Sequence, residues 1–323
     1  METAQTAAYH LRDFSREDIA TFSAILIAIW PDEPNTVEQL EHWERTYPAD
    51  NPRLRRVAAL EDGQMVGYGE CQRPYWSSLR DTYAIFVAVD PAWQRRGIGQ
   101  MLFAAVAPFA AQQGIAKLRT SCKEDSAGTV RFLDQAGFSQ IGIRFESALD
   151  MPTFDETPFL PSQRRAEGAG YEVITLAQAR TEDPEADRRL FDVFAATVVD
   201  VPFPGGDRAN PNYDNFRANT LDAPNSNPDA IFIARQAGKM VGMTSLELLP
   251  NGVGITGMTG VLAGHRGHGV AMALKLASFR YLRANGYHEA RAHNDTANPA
   301  ILALNEKLGY RRLPGWLAWE KEL

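Results

Sequence analysis

The stretch AIFVAVDPAWQRRGIGQMLFAAVAPFA, residues 84–110, decides how this chain is read. An apolar run rich in β-branched and aromatic residues ends at Asp90-Pro91, as a strand does. A glycine turn, Gln94-Arg95-Arg96-Gly97-Ile98-Gly99, then leads into an apolar-striped helix that continues through Gln100. The same design recurs in GMTGVLAGHRGHGVAMALKLASFRYL, residues 257–282, where Arg266-Gly267-His268-Gly269-Val270-Ala271 holds the equivalent turn. A strand, a glycine turn and a helix N-terminus together make an anion pocket. Unpaired backbone N–H groups converge there, and the helix dipole adds partial positive charge. One such turn could need glycine for geometry alone. Two in register, each after an apolar strand, favour binding.

Working outward, residues 258–310 align on 86–138 without a gap. Few positions are identical, but Gly97 matches Gly269, Gly114 matches Gly286 and Gly137 matches Gly309. Upstream, GQMVGYG (63–69) pairs with GKMVGMT (238–244). The chain is one unit written twice.

Each half carries the same string of elements. In the first, strands are expected near 9–12, 55–61, 64–72, 82–89, 116–120 and 138–149, with helices over 16–30, 37–46, 97–113 and 126–136. In the second, strands are expected at 171–175, 230–235, 239–248, 254–261, 288–292 and after Gly309, with helices over 184–199, 269–285 and 298–308. Pro108 should kink the 97–113 helix. Strands in meander followed by strands alternating with helices indicate a mixed α/β (α+β) fold, each half a mixed central sheet flanked by helices. The expected domains are 1–152 and 170–323, with the Pro-, Gly- and charge-rich stretch 153–169 as linker. Residues 200–228, rich in Pro, Asn and Asp, read as a long loop over a cleft. Gly252–Gly257 spells GxGxxG, but Asn251-Gly252 is a hairpin signal and no helix start follows, so the dinucleotide reading is set aside.

Composition narrows the partners. With 45% hydrophobic and 23% charged residues the chain is globular, and a length of 323 suits two domains. A net charge of −7 gives no electrostatic footprint for nucleic acid. Two cysteines, Cys71 and Cys122, make no disulfide framework and no metal spacing, which points to a reducing, cytoplasmic setting and no metal. The N-terminus METAQTAAYHLRDF has neither the basic nor the apolar region of a leader. AILIAIW (24–30) is too short to span a bilayer, so no membrane partner is expected. A monomer or homodimer is expected.

The pattern Q/R-x-x-G-x-G/A after a strand resembles the acyl-CoA pyrophosphate loop of the GNAT superfamily of N-acetyltransferases, and both Gln94–Gly99 and Arg266–Ala271 match it. The resemblance covers nearly the whole chain as a tandem pair. It implies acetyl-CoA as co-substrate and direct attack of a small amine on its thioester. It also implies that the pantetheine arm pairs with the strand edge at Val87 and Val89 in the first half, or at Thr259 and Val261 in the second. Asn298 falls where the family often contacts that arm, an N-cap role before Pro299 being compatible with it, and the shorter Ser126 is its counterpart.

The family's usual acid, a tyrosine, is absent: Leu133 and Asn305 stand in its place, and only Asn305 could hydrogen-bond the sulfur. Where some members carry a basic Glu, this chain has Tyr83 and Ile255. Asp81 shares the strand face of Tyr83, while Glu70 and Glu247 lie on neighbouring strands. His293, at a strand end near the implied thioester, is a candidate base, and His268 lies within the phosphate loop. The second half is therefore the expected catalyst, with Asp200, Asp207 and Asp214 available to an ammonium. The alternative is a non-catalytic CoA-binding sensor.

Overall fold

The computed structural model describes residues 9–49, 51, 53–59, 63–74, 77–295 and 298–323. The first eight residues, where no leader was expected, and residues 60–61 of the strand expected at 55–61 lie outside that set.

The strands are β1 (His10–Arg12), β2 (Arg53–Ala59), β3 (Met65–Gln72), β4 (Thr82–Val89), β5 (Lys117–Lys123), β6 (Ser139–Asp150), β7 (Tyr171–Thr175), β8 (Ile231–Gln236), β9 (Lys239–Leu248), β10 (Val253–Val261), β11 (Glu289–Asp295), β12 (Arg311–Arg312) and β13 (Trp316–Glu322). The helices are α1 (Ile19–Ile29), α2 (Val37–Thr46), α3 (Ile98–Val106), α4 (Pro108–Gln112), α5 (Ala127–Gln135), α6 (Leu160–Gly168), α7 (Leu176–Glu182), α8 (Ala186–Val198), α9 (Tyr213–Phe216), α10 (Val270–Ala284) and α11 (Pro299–Leu308). Local chemistry accounts for many boundaries. Thr36 caps α2 and Thr175 caps α7, each in a capping box with a glutamine three residues on. Pro108, which lacks an N–H, divides the expected long helix into α3 and α4.

All strands join one mixed sheet, ordered β1-β2-β3-β4-β5-β13-β6-β11-β10-β9-β8-β7, with β12 beside β6. The pairs β4/β5 and β10/β11 are parallel, and the other named pairs are antiparallel. The order is symmetric about the β13/β6 contact. There the copies exchange their last strands: β13 runs beside β5 of the first copy, and β6 beside β11 of the second. Leu317 and Trp319 of β13 accordingly sit in the first copy's core with Cys122, Leu133 and Phe138.

The stretch expected as a linker carries structure. Residues 153–169 include α6, with Pro161 in its first turn, and Phe159 and Ala166 are buried in the core around α10. The proline and glycine that suggested a linker bracket a helix. GxGxxG falls in β10, which pairs antiparallel with β9 after a Leu249–Gly252 turn, so a nucleotide fold has no place there. No helix among the described residues is long and apolar enough to cross a membrane.

Candidate active site

The two parallel pairs are incomplete in the same way. β4 pairs with β5 only through Thr82–Ala84, and β10 with β11 only through Val253–Thr256. Beyond those points each pair splays into a wedge. Val87 and Val89, like Thr259 and Val261, leave their backbone edge toward the wedge without a strand partner among the described residues. Such an edge can hydrogen-bond an extended arm.

Both wedges end in the expected turn. Gln94 Nε2 donates to the Val89 carbonyl at 3.1 Å, and Arg266 Nε donates to the Val261 carbonyl at 2.9 Å. The first motif residue thus braces the turn against its strand identically in each copy. Gly97 and Gly269 take φ of 83° and 89° at the helix N-caps, where a side chain would be strained. No side chain caps either helix. Ile98 and Val270 are buried and fix the first turn of each helix, whose first N–H groups, from Ile98, Gly99 and Gln100 in one and Val270 and Ala271 in the other, have no intrahelical carbonyl to bond.

The copies differ in what covers the turn. Around Gly97 a Cβ would meet nothing within 4 Å; at Gly269 it would lie 2.2 Å from the Ser162 carbonyl oxygen of α6. Arg266 is also held by Asp200 at 2.6 Å, and the Tyr171 hydroxyl bonds His265 Nδ1 at 2.9 Å. His268 is exposed, its ring 5.9 Å from Tyr171. Gly267 is exposed as well. In the first copy Arg95 and Arg96 are exposed; Arg96 bonds the Ala92 carbonyl at 3.1 Å over the Trp93 ring, and Arg95 reaches toward Gly128 of α5. A pyrophosphate needs open N–H groups, room and cationic side chains, and the first turn fits all three.

A cavity of about 730 Å³ lies over the first copy's wedge. Phe22, Trp30, Tyr68 and Phe86 line it from the first copy, and Phe203, His293 and Trp316 from the second. Phe22 stacks on Tyr68 at 4.1 Å, and Trp30 meets Trp316 at 5.4 Å. The loop expected to wall a second-half cleft therefore covers the first copy instead: Asp207 accepts from Ser77 Oγ at 2.6 Å and lies 4.0 Å from Arg119. Asp214 sits in the first turn of α9 behind the Asn212 cap.

Carboxylates in and beside this cavity have distinct states. Glu70 of β3, 8% exposed, accepts from the Tyr68 hydroxyl. Burial and the neighbouring Glu146 push Glu33 above the usual carboxylate range. Burial opposes ionisation of Glu146 too, but Lys123 outweighs it and holds Glu146 below its ordinary value. Lys123 Nζ lies 3.2 Å from Glu33, and Trp316 Nε1 donates to Glu146 at 2.9 Å. Burial, then the Arg144 charge, pull His293 down to about 4.

Comparison with known proteins decides the family. The model of the acetyltransferase (GNAT) family matches residues 17–138 and again 197–310. The chain belongs to the GNAT acetyltransferase family. Two curated relatives are mycothiol acetyltransferases. That of Thermomonospora curvata is 24% identical over 80% of this chain and 80% of its own length. That of Thermobispora bispora is 27% identical over 70% of this chain and 72% of its own. A solved tandem GNAT protein from the clavulanic acid biosynthesis pathway shares the fold, with a TM-score of 0.70, 18% identity and coverage of 98% of both chains.

Within this acetyltransferase the expected acid–base residues are dispersed. Tyr83 is 3% exposed and packs against Phe109 in the core, its pKa raised by burial. Asp81 is exposed at the closed end of the wedge, where its carbonyl accepts from Ala116 and Lys117. Asn305 is 3% exposed and donates to Asn294 Oδ1 at 2.6 Å, a link within the core. Glu247 is reached by water yet crowded by protein, which raises its pKa, and Asn225 donates to it at 3.3 Å. His293 faces the first copy's cavity, not the second copy's wedge, and is neutral at physiological pH. Ser126 and Asn298 are both helix N-caps; Asn298 accepts from Ile301 N at 3.3 Å, and Ser126 Oγ meets Thr129 Oγ1 at 2.9 Å. Glu33, Arg144 and Trp316 carried no local sequence signal.

Lys275 marks the second copy's core. It is 1% exposed, bonds Thr256 Oγ1 at 3.1 Å and has no carboxylate partner among the described residues. Burial pulls its pKa down to about 7. Below pH 7 the folded protein carries the full cost of a buried charge. From there to about 10.4 the unfolded chain alone stays protonated, so stability rises with pH. Lys275→Met should exceed wild type by on the order of a few kcal/mol at pH 6. The gap should close toward pH 10 in denaturant unfolding; a pH-independent gap would refute the assignment.

Proposed function

We propose that the protein moves the acetyl group of acetyl-CoA to a small amine, with the donor on the Gln94–Gly99 turn and the acceptor in the cavity above the β4/β5 wedge. The supporting observation is that the uncovered turn and the large cavity belong to the same wedge. This reading shifts chemistry from the second copy, expected from the sequence, to the first.

Acetyl-CoA supplies the acetyl group as a thioester. The N–H groups of Ile98, Gly99 and Gln100, with Arg95 and Arg96, hold its phosphates. The β4 edge at Val87 and Val89 orients the arm, and a backbone N–H there stabilises the developing oxyanion. Glu70 takes the proton of the acceptor ammonium, freeing the nitrogen lone pair for attack. Leu133 cannot donate a proton, so the thiolate leaves unaided, as an ordinary thiol pKa near 8.5 permits.

Glu70→Gln should lower kcat by about 10²–10⁴-fold while acetyl-CoA affinity is kept. An unchanged kcat would remove Glu70 from this role. Failure of the purified wild type to acetylate any member of an amine library, with acetyl-CoA still bound, would leave the non-catalytic CoA-binding reading.

A further inference from the structure

Among the described residues, one of the arginines lining the cavity, Arg144, makes no close ion pair, and the charges of Asp295 and Glu146 act on it only from a distance. Three arginines line the cavity. Arg53 pairs with Glu44 at 3.0 Å and lies on the Tyr47 ring. Arg119 pairs with Glu320 at 2.8 Å and donates to the Pro204 and Gly205 carbonyls. Arg144 of β6 has no carboxylate within ion-pair distance among the described residues. Asp295 stands opposite it on β11, outside that reach, and Glu146, two residues along, is taken by Lys123 and Trp316. The Phe203 ring lies 6.0 Å from the Arg144 guanidinium, and His293 beside it is neutral. Protein crowds the guanidinium while the cavity admits water to it, and burial lowers its pKa. An arginine so placed is a preorganised fork for a planar anion.

We propose that Arg144 anchors an anionic group of the acceptor, so that the amine taken by this enzyme also carries a carboxylate or similar anion at the end remote from Glu70. The inference rests on the reading of this cavity as the acceptor site. Strands β5 and β13 separate β4 from β6, a distance of at least roughly 14 Å at about 4.8 Å per strand step and more where the β4/β5 wedge opens. The reach of the arginine closes part of that gap. Between the two ends Trp30, Phe86 and Trp316 provide apolar walls. The acceptor is therefore elongated: amine, apolar or aromatic middle, anion.

Calorimetric titration of the full-length protein with para-aminomethylbenzoate and with benzylamine tests this. Wild type should bind the carboxylated amine at least about tenfold more tightly, a gap of about 1.4 kcal/mol. Arg144→Gln should erase the gap while leaving benzylamine binding and thermal unfolding unchanged, and Arg144→Lys should keep part of it. A gap that survives Arg144→Gln, or a wild type that prefers benzylamine or binds neither, overturns the proposal. Acetyl transfer is followed in the same samples. Carboxylate-selective binding without transfer would uphold the anion anchor and count against the cavity as acceptor site.

Discussion

Gly97→Glu is expected to abolish acetyl-CoA binding in a protein that still folds. Its Cβ would point into open space, so the folding cost is that of left-handed backbone, about 1–2 kcal/mol. The carboxylate would occupy the mouth of the α3 N-terminus and repel the pyrophosphate. Two lost charge-assisted hydrogen bonds, at about 1.5–3 kcal/mol each, amount to at least about a hundredfold in Kd. The matching change in the second copy should behave oppositely. At Gly269 even alanine would press its Cβ against the Ser162 carbonyl at 2.2 Å, and α6 would have to shift. Overpacking of about 1–3 kcal/mol adds to the backbone cost. Gly269→Ala should therefore lower thermal stability while keeping acetyl-CoA stoichiometry in native mass spectrometry. Binding that survives Gly97→Glu would return the donor site to the second copy.

The contrast between these glycines shows what local sequence can and cannot carry. Both turns were legible because the anion pocket is a local device: a strand end, a positive-φ glycine and a helix start within about ten residues of chain. The brace from Gln94 to Val89, repeated from Arg266 to Val261, is equally local. Ser162 is not; it reaches Gly269 across more than a hundred residues. The stretch that supplies it read as linker because proline and glycine mark loops and helix ends alike. The proposed base was hidden by strand parity. Tyr83 aligns with a family carboxylate but points into the core, whereas Glu70, on the neighbouring strand, faces the cavity. The cavity itself gathers Phe22, Glu33, Arg144, Phe203 and Trp316 from both halves, and no spacing rule links them.

Cutting the chain between residues 152 and 153 should show how far the copies depend on each other. Fragment 1–152 retains β5 and β6 but loses β13, which separates them, and β11, which pairs along the other edge of β6. It also loses Leu317 and Trp319 from its core, 8% and 6% exposed in the intact chain. Each such side chain contributes roughly 1.5–3 kcal/mol, and the pair alone is a large share of a domain stability of about 5–15 kcal/mol. Three opened strand edges, one of β5 and both of β6, add an aggregation hazard. The fragment should be unfolded, or dimeric through its own β6, when expressed alone. Coexpressed with 153–323 it should form a one-to-one complex with native circular dichroism and restored acetyl transfer, because strand exchange is what completes both halves of the sheet and brings Trp316 to the cavity wall. A monomeric, cooperatively folding 1–152 would mean that β6 can close against β5 in place of β13. Duplication would then have produced two self-sufficient domains, and the composite cavity would be a consequence of their meeting rather than a condition of their folding.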